Sequence, residues 1–203
     1  MRLHSAFTVR QTSIFALITL LGVLTFPARA ANLPPGGVVA LSGTTLAQSP
    51  SLNGVVIADV ITPFTITIAP NIVLVGRLQD KVVRENHTER LDFYSQITLT
   101  PSDPNFPTYF FQNVTVSRTD FTNVTINADF RLDQGGNTAP QRARRSASGA
   151  IVAFDWLNNW FSTPGTSRSL FLQTNAFQYA QTGLTSISIG GSSVTLKSFR
   201  PIP

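Results

Sequence analysis

His87 and the two glutamates beside it are the first candidates for chemistry in this sequence. Glu85, His87 and Glu89 alternate along the chain, and on a β-strand alternate side chains share one face, where three such groups could bind a metal ion. His87 could also act as the base of a Ser-His-Asp triad. The polar run 84–90 is more typical of a hairpin turn, which would separate the three side chains. We therefore expect a solvent-facing turn with no catalytic residue and no metal site.

Acidic residues offer two further possibilities. Asp129, Asp133 and Asn137 surround a Gly-Gly pair and carry the oxygen ligands that Ca²⁺ prefers, but their spacing matches neither an EF-hand loop nor an RTX repeat. Glycoside hydrolysis requires two carboxyl groups facing each other across a groove. The 10 Asp and Glu residues are scattered singly, so the sequence identifies no such pair. An exported hydrolase with an unrecognised carboxylate pair remains an alternative.

Aromatic residues near position 160 suggest binding instead of catalysis. Trp156 and Trp160 flank Asn158 and Asn159. Sugar rings stack on flat aromatic faces while nearby amides bond their hydroxyl groups, so these four residues could form a carbohydrate-binding platform at the rim of a domain. The competing interpretation is core packing, because aromatic side chains dominate the buried area of β-proteins. Trp156, Asn158, Asn159 and Trp160 are therefore the ligand-binding candidates.

The composition excludes several classes of site. The 203 residues are 42% hydrophobic and 12% charged, and they include no cysteine. Disulfide scaffolds, cysteine-based zinc sites, iron–sulfur clusters and thiol nucleophiles are therefore excluded. We expect a core stabilised by packing alone, and no cofactor.

The first thirty residues have the organisation of a secretory signal peptide. Arg2 and Arg10 precede an apolar run over 14–26, and Ala28 and Ala30 occupy the positions that a signal peptidase recognises. Thirteen residues of helix reach only about 20 Å, which is short of a bilayer core of about 30 Å. The sequence thus predicts cleavage after Ala30, a secreted protein at the cell surface, in the periplasm or outside the cell, and no stable transmembrane segment.

The charge of the chain argues against nucleic acid as a partner. The formal net charge is +5, and three of the arginines lie within the predicted signal peptide, so the mature chain carries only +2. Nucleic-acid binding requires a clustered cationic surface. We expect no nucleic-acid partner.

The remaining residues predict an all-β fold. The chain contains 24 Thr and 18 Ser, which alternate with Val, Ile and Phe at the period of a β-strand. Turn residues such as Pro63 and the pair Gly190-Gly191 separate these runs. Predicted strands lie near 37–42, 54–60, 63–69, 71–84, 90–99, 108–117, 121–132, 147–156, 168–174 and 184–199. We expect a single domain over 31–203, an antiparallel β-sandwich of jelly-roll or immunoglobulin-like type, with a closed barrel as the alternative.

Two local predictions accompany this architecture. The near repeats 111–116 and 121–126 are expected to pair as a hairpin across 117–120. The polar stretch 132–148, which includes the basic run Arg142-Ala-Arg-Arg145, is expected to be a long, solvated surface loop.

The order of several short segments resembles a bacterial protein class. The segments are Gly76–Val83, Leu91–Tyr94, Asp129–Asp133, Ser146–Gly149, Phe171–Ala176 and Phe199-x-Pro201. They are similar to segments of exported bacterial proteins of the PEP-CTERM class, which often carry a C-terminal tail sorted by an exosortase. The resemblance implies a cell-envelope or extracellular-matrix setting and no known activity. This sequence departs from the class at Phe199-Arg-Pro-Ile-Pro203, where no apolar segment with a basic tail is present.

These observations favour a protein that is not an enzyme. The leading hypothesis is an exported structural or adhesion-type β-sandwich of the cell envelope or matrix, with polysaccharide or other envelope or matrix proteins as partners. The alternatives are a carbohydrate-binding module that uses the aromatic platform, and the hydrolase described above.

Overall fold

The computed structural model describes residues 30–70, 72–103, 108–158 and 160–203. The predicted signal peptide, except Ala30, and Asn159 lie outside these residues. The described chain forms fifteen strands and one short 3-10 turn. The strands are β1 (Ala31–Asn32), β2 (Val38–Ala40), β3 (Gly54–Ala69), β4 (Ile72–Glu85), β5 (Leu91–Pro101), β6 (Tyr109–Phe111), β7 (Val114–Arg118), β8 (Ile126–Arg131), β9 (Arg142–Arg145), β10 (Val152–Trp156), β11 (Phe161–Thr163), β12 (Gly165–Thr166), β13 (Ser169–Thr174), β14 (Gln178–Ile189) and β15 (Ser192–Ile202), and the 3-10 turn is Pro50–Leu52.

The strands form two large antiparallel sheets and one small ribbon. The seven-stranded sheet has the order β1-β8-β13-β5-β4-β3, and β12 pairs with β5. The six-stranded sheet has the order β15-β14-β7-β10-β9-β2, and β6 pairs with β11 as a two-stranded ribbon. The predicted all-β antiparallel sandwich is confirmed. Within the described residues, no helix is long and apolar enough to cross a membrane.

The core lies between the two large sheets. Along β4, Leu74, Leu78 and Val82 are completely buried because alternate side chains of a strand share a face. They belong to one hydrophobic cluster with residues of the opposite sheet, including Val116 and Phe154. Full burial of a side chain of this size stabilises the fold by about 1.5–3 kcal/mol.

A second, smaller cluster lies on the outer face of the seven-stranded sheet. Val83, Tyr94 and Phe171 pack there against Leu52. The segment 43–52 is held over this face by Asp129, whose carboxylate accepts hydrogen bonds from the Gly43 N–H (2.9 Å) and the Thr44 hydroxyl (2.6 Å). The covering segment buries part of a sheet face that would otherwise be exposed to solvent.

The strand β3 continues through Pro63, where the sequence predicted a break. Pro63 is paired in register with Arg77 of β4. Because β3 is the last strand of its sheet, one side of it forms no ladder hydrogen bonds, and a residue without an N–H is tolerated on an edge strand.

The polar stretch 132–148 is not wholly a loop, because β9 lies within it. Ala143 and Arg145 are buried, and Arg144 is exposed. Arg145 donates hydrogen bonds to the carbonyl oxygens of Gly149 (2.9 Å), Leu33 (3.2 Å), Phe121 (2.7 Å) and Val124 (2.9 Å). The prediction of a solvated basic run is therefore wrong for Arg145, since four carbonyl groups replace its hydration.

The predicted hairpin between the two near repeats is also wrong. The strand β7 belongs to the six-stranded sheet and β8 to the seven-stranded sheet, so the chain crosses between layers after β7. Asp120 and Asn123 have positive φ angles of 68° and 62°, which Asp and Asn tolerate better than most residues. The hairpin predicted at 84–90 is formed between β4 and β5. The chain also turns at Gly190-Gly191, where the sequence predicted a break between strands, and β14 pairs there with β15.

Candidate functional site

The two tryptophans of the predicted carbohydrate platform lie in different environments. Trp156 ends β10 and is 0% exposed, and its ring packs edge-to-face against Phe161 with centroids 5.7 Å apart. Trp160 is 53% exposed and packs edge-to-face against Phe110 at 6.2 Å. Trp156 therefore cannot stack on a sugar in this structure, and the core-packing interpretation applies to it.

The exposed part of the predicted platform is small. Asn158 is exposed, and its backbone N–H donates a hydrogen bond to the side-chain oxygen of Gln141 (2.8 Å). Phe110, which is 57% exposed, is the aromatic neighbour of Trp160. We call Phe110 and Trp160 the aromatic tip, because both lie at the ribbon formed by β6 and β11.

The Glu85, His87 and Glu89 side chains are separated by the turn, as expected. His87 and Glu89 are exposed, and Glu89 lies 3.7 Å from the guanidinium of Arg84. Glu85 is buried. In the part of the chain that the structure describes, no group of three or more His, Asp or Glu side chains is placed to hold a metal ion.

The acidic residues considered for Ca²⁺ near the Gly-Gly pair are each bound to a protein partner. Asp129 holds the segment 43–52, as described above. Asp133 accepts two hydrogen bonds from the guanidinium of Arg131, at 2.7 and 2.9 Å, and Arg131 lowers the pKa of Asp133. The Asn137 side-chain oxygen accepts a hydrogen bond from the Thr166 N–H (3.1 Å).

A pair of carboxyl groups that the sequence did not identify lies beside the His87 hairpin. Asp92 of β5 is paired in register with Val83 of β4 and with Gln173 of β13. Glu85 follows Val83 by two residues, so it lies on the same sheet face as Asp92 and diagonally across the strand pair. The two carboxyl groups lie within hydrogen-bonding reach of each other.

The two members of this pair differ in their hydrogen bonds. Glu85 accepts a hydrogen bond from the Thr88 hydroxyl and another from the Gln173 amide nitrogen (3.2 Å). Asp92 is 0% exposed, and neither of its carboxyl oxygens has a hydrogen-bond partner of standard geometry among the described residues. Burial, reinforced by the charge of Glu85, raises the pKa of Asp92 to about 9. Asp92 is therefore protonated at neutral pH unless a cation stabilises its ionised form.

The carboxyl pair lies beside two adjoining polar depressions of about 200 and 340 Å³, which share Ser51, Asn127 and Gln173. We call them together the polar trough. Its polar lining consists of amides, hydroxyls, one carboxylate and one guanidinium: Gln48, Ser49, Ser51, Glu85, Thr88, Arg90, Thr125, Asn127, Gln173 and Thr174. Asn127, Gln173 and Asp92 are successive cross-strand neighbours on β8, β13 and β5, so the rigid sheet fixes their spacing.

A third depression, of about 300 Å³, contains amides beside an exposed ring. It is lined by Asn123, Asn175, Gln178 and Phe177, among others, and Phe177 is 55% exposed. Asn175 accepts a hydrogen bond from the backbone N–H of Thr125 (2.9 Å), and Thr125 also lines the polar trough. The depression therefore lies next to the polar trough.

The arrangement is suited to binding hydroxyl groups. Each side-chain amide offers both donors and an acceptor, and hydroxyls can act as either. It is not suited to a two-carboxylate glycosidase, because that reaction requires carboxyl groups separated by roughly 5–10 Å, with the sugar between them. Glu85 and Asp92 are in contact.

The polar trough has only a weak signal in the sequence. Leu91, Phe93 and Ile97 alternate as core residues, which places Asp92 on the outer face of β5. Its partner Glu85 could be identified only if the hairpin register were known, and a shift of one residue would move it to the other face.

Comparisons of the whole chain with protein-family models, curated proteins and solved structures found no match.

Proposed function

We propose that this protein is an exported, non-catalytic β-sandwich module of the cell envelope or extracellular matrix that binds a polysaccharide in the polar trough. The observation that carries the proposal is the pair Asn127 and Gln173, which are cross-strand neighbours on β8 and β13 and line both depressions of the polar trough. Polar groups held at fixed spacings on a rigid sheet can match the repeating hydroxyls of a sugar chain with a small loss of side-chain entropy on binding.

The shape and composition of the surface support an extended ligand. The polar trough adjoins the depression that contains Asn175 and the exposed ring of Phe177. A sugar chain that occupied both would hydrogen-bond along the polar trough and stack one ring on Phe177. The contact between Glu85 and Asp92 supports the non-catalytic part of the proposal, since it leaves no space for a glycosidic bond.

The export part of the proposal is supported by the organisation of residues 1–30. Positive charge, an apolar run and small residues at the cleavage site follow one another in the order that a signal peptidase requires. N-terminal sequencing of the protein recovered outside the cytoplasm should begin at Ala31. A chain that stays in the cytoplasm with its N-terminus intact would overturn this part.

Affinity gel electrophoresis tests the binding site directly. The purified protein is run through gels containing xylan, galactomannan, hydroxyethylcellulose or alginate, beside a gel without polysaccharide. We expect retardation in at least one gel, and loss of it in the double variant Asn127→Ala, Gln173→Ala. Gln181→Ala is the control, because it removes an exposed amide of the six-stranded sheet that does not line the polar trough. Retardation that survives the double variant would overturn the assignment of the site.

The aromatic tip is the second candidate surface. The exposure of Phe110 and Trp160 favours it, because exposed aromatic rings can stack on sugars. In the same gels, loss of retardation in Trp160→Ala, with the polar-trough variant unaffected, would place the ligand there. No retardation by any polysaccharide would favour a structural role without a glycan.

A further inference from the structure

We propose that Asp92 and Glu85 form a binding site for Ca²⁺ beneath the polar trough, completed by the side-chain oxygens of Ser51, Thr88 and Gln173. This inference does not depend on the proposed polysaccharide ligand. It rests on how the two carboxyl groups are placed and on what surrounds them.

The carboxyl group of Asp92 is completely buried. Neither of its carboxyl oxygens accepts a hydrogen bond of standard geometry from the residues that the structure describes. The amide nitrogen of Gln173, which also acts on Asp92, lies 3.2 Å from the Ser51 hydroxyl oxygen and 3.2 Å from a Glu85 carboxyl oxygen. Buried carboxylates are normally paired with a cation or hydrogen-bonded, because an isolated buried charge is costly.

The basic side chains near the carboxyl pair are bound to other groups or form no ion pair with it. Arg131 is the arginine whose charge acts on Asp92, and its guanidinium is bound through two N–H groups to Asp133. Lys81 lies over the ring of Tyr94, 5.9 Å from the centroid. Neither forms an ion pair with Asp92 or Glu85 at 4.0 Å or less in the described structure. Arg90 lines the same depression as Glu85, but it too forms no ion pair with Asp92 or Glu85 at 4.0 Å or less in the described structure. Two adjacent carboxyl groups are thus left without an ion pair to a protein cation.

The side chains around the carboxyl pair offer only oxygen atoms as metal ligands. Asp92 and Glu85 supply four carboxyl oxygens, and Thr88 donates its hydroxyl hydrogen to Glu85. Rotation of the Gln173 amide would exchange its nitrogen for its oxygen beside Ser51 and Glu85. A set made only of oxygen atoms, with no imidazole or thiolate, is characteristic of Ca²⁺ sites, which use six to eight oxygens in flexible geometry. Mg²⁺ requires a near-ideal octahedron of ligands. Side chains that come from two turns and from the strands β4, β5 and β13 do not readily provide that geometry.

A depression in the surface leads from solvent to the carboxyl pair. Ser51, Glu85, Thr88 and Gln173 line the depression of about 200 Å³ together with Arg90, so a cation can reach Glu85 from solvent. Asp92 does not line the depression, but it lies within hydrogen-bonding reach of Glu85. The remaining coordination positions would face the polar trough. With only two formal charges, the site belongs with weak extracellular Ca²⁺ sites, whose dissociation constants are about 10⁻⁴–10⁻³ M.

Isothermal titration calorimetry of the chelator-treated, dialysed full protein with CaCl₂ tests the site. We expect one Ca²⁺ per chain with a dissociation constant in the stated range, and a melting temperature that rises saturably as Ca²⁺ approaches about 10 mM. Asp92→Asn and Glu85→Gln should each weaken binding about tenfold or more. Glu89→Gln, which removes the same charge from an exposed position of the same hairpin, should leave binding unchanged.

Several results would overturn the proposal. They are no Ca²⁺ binding at about 10 mM, unchanged binding in both Asp92→Asn and Glu85→Gln, and equal affinity for MgCl₂, which would remove the assignment to Ca²⁺. Circular dichroism and urea denaturation in chelator establish that each variant is folded before it is titrated. Because no polysaccharide is present, the outcome is independent of the gel experiment above.

Discussion

Arg118 in the six-stranded sheet and Asp80 in the seven-stranded sheet form an ion pair at 2.9 Å inside the sandwich. Both side chains are almost completely buried. Arg118 also donates hydrogen bonds to Ser95 (2.7 Å) and to the carbonyl oxygen of Phe199 (2.8 Å), and Asp80 accepts one from the Phe199 N–H (2.7 Å). The pair therefore joins the two layers by directional contacts that the apolar core does not provide.

The first prediction concerns this pair. Arg118→Met should reduce the free energy of unfolding by about 3–5 kcal/mol, because it leaves the buried carboxyl group of Asp80 without its counter-charge. Adding Asp80→Asn should restore part of the loss. Urea denaturation measures both, and Arg84→Met is the control, since its pair with Glu89 is exposed and worth less than about 1 kcal/mol. Equal stability of the single variant and the wild type would contradict the account.

The second prediction compares two neighbouring arginines. Arg145→Met should destabilise the protein by about 2 kcal/mol or more, because it leaves several buried carbonyl groups without a donor. Arg144→Met should cost less than about 1 kcal/mol, because Arg144 is half exposed in its ion pair with Asp155. Thermal denaturation of the two variants side by side measures the difference. Similar melting temperatures would show that Arg145 is solvated.

The third prediction compares the two tryptophans. Trp156→Ala should destabilise the protein by about 3–5 kcal/mol, because it removes a large side chain from the core. Trp160→Ala should change the stability by only about 0.5 kcal/mol, as is usual for exposed positions. Guanidinium denaturation monitored by circular dichroism applies to both. A large loss in Trp160→Ala together with a small one in Trp156→Ala would reverse the assignment of core and surface.

The fourth prediction concerns the pH dependence of stability in the presence of a chelator. The pKa of Asp92 is about 9 when folded and about 3.9 when unfolded, so between these values the folded state binds the extra proton. The stability that this group contributes is complete at low pH and is lost as the pH rises towards about 9, by at most about 1.4 kcal/mol per pH unit.

The isosteric variant provides the comparison for this measurement. Asp92→Asn removes the titrating group, so its free energy of unfolding should fall less steeply from about pH 5 to pH 9. Urea denaturation at a series of pH values gives both slopes. Parallel curves for the wild type and the variant would mean that Asp92 is ionised in the folded protein without a cation.

The fold was largely accessible from the sequence because strand periodicity is a local property. Alternation along β4 and the glycine pair before β15 depend on residues that are close together in the chain. The break predicted at Pro63 is not formed, because an edge strand tolerates a proline. Whether a strand lies at an edge is a property of the whole sheet, which the local sequence does not contain.

The candidate site was less accessible because its contacts join distant segments. The lining of the polar trough comes from separate segments, represented by Ser51, Glu85, Asn127 and Gln173, and no local pattern in the sequence indicates that they meet. Asp92 and Glu85 meet only in one hairpin register. Trp156 and Trp160 are four residues apart, and their different exposure follows from the end of β10 at Trp156.

A heteronuclear NMR titration distinguishes binding in the polar trough from binding at the aromatic tip, because side-chain amide and indole N–H groups give separate signals. The titrant is a hexasaccharide of the polysaccharide that retards the protein most in the gels. We predict saturable shifts of the side-chain amide signals of Asn127 and Gln173, with the indole signal of Trp160 unchanged. A shifted Trp160 indole signal with unchanged Asn127 and Gln173 amide signals would place the ligand at the aromatic tip and exclude the polar trough.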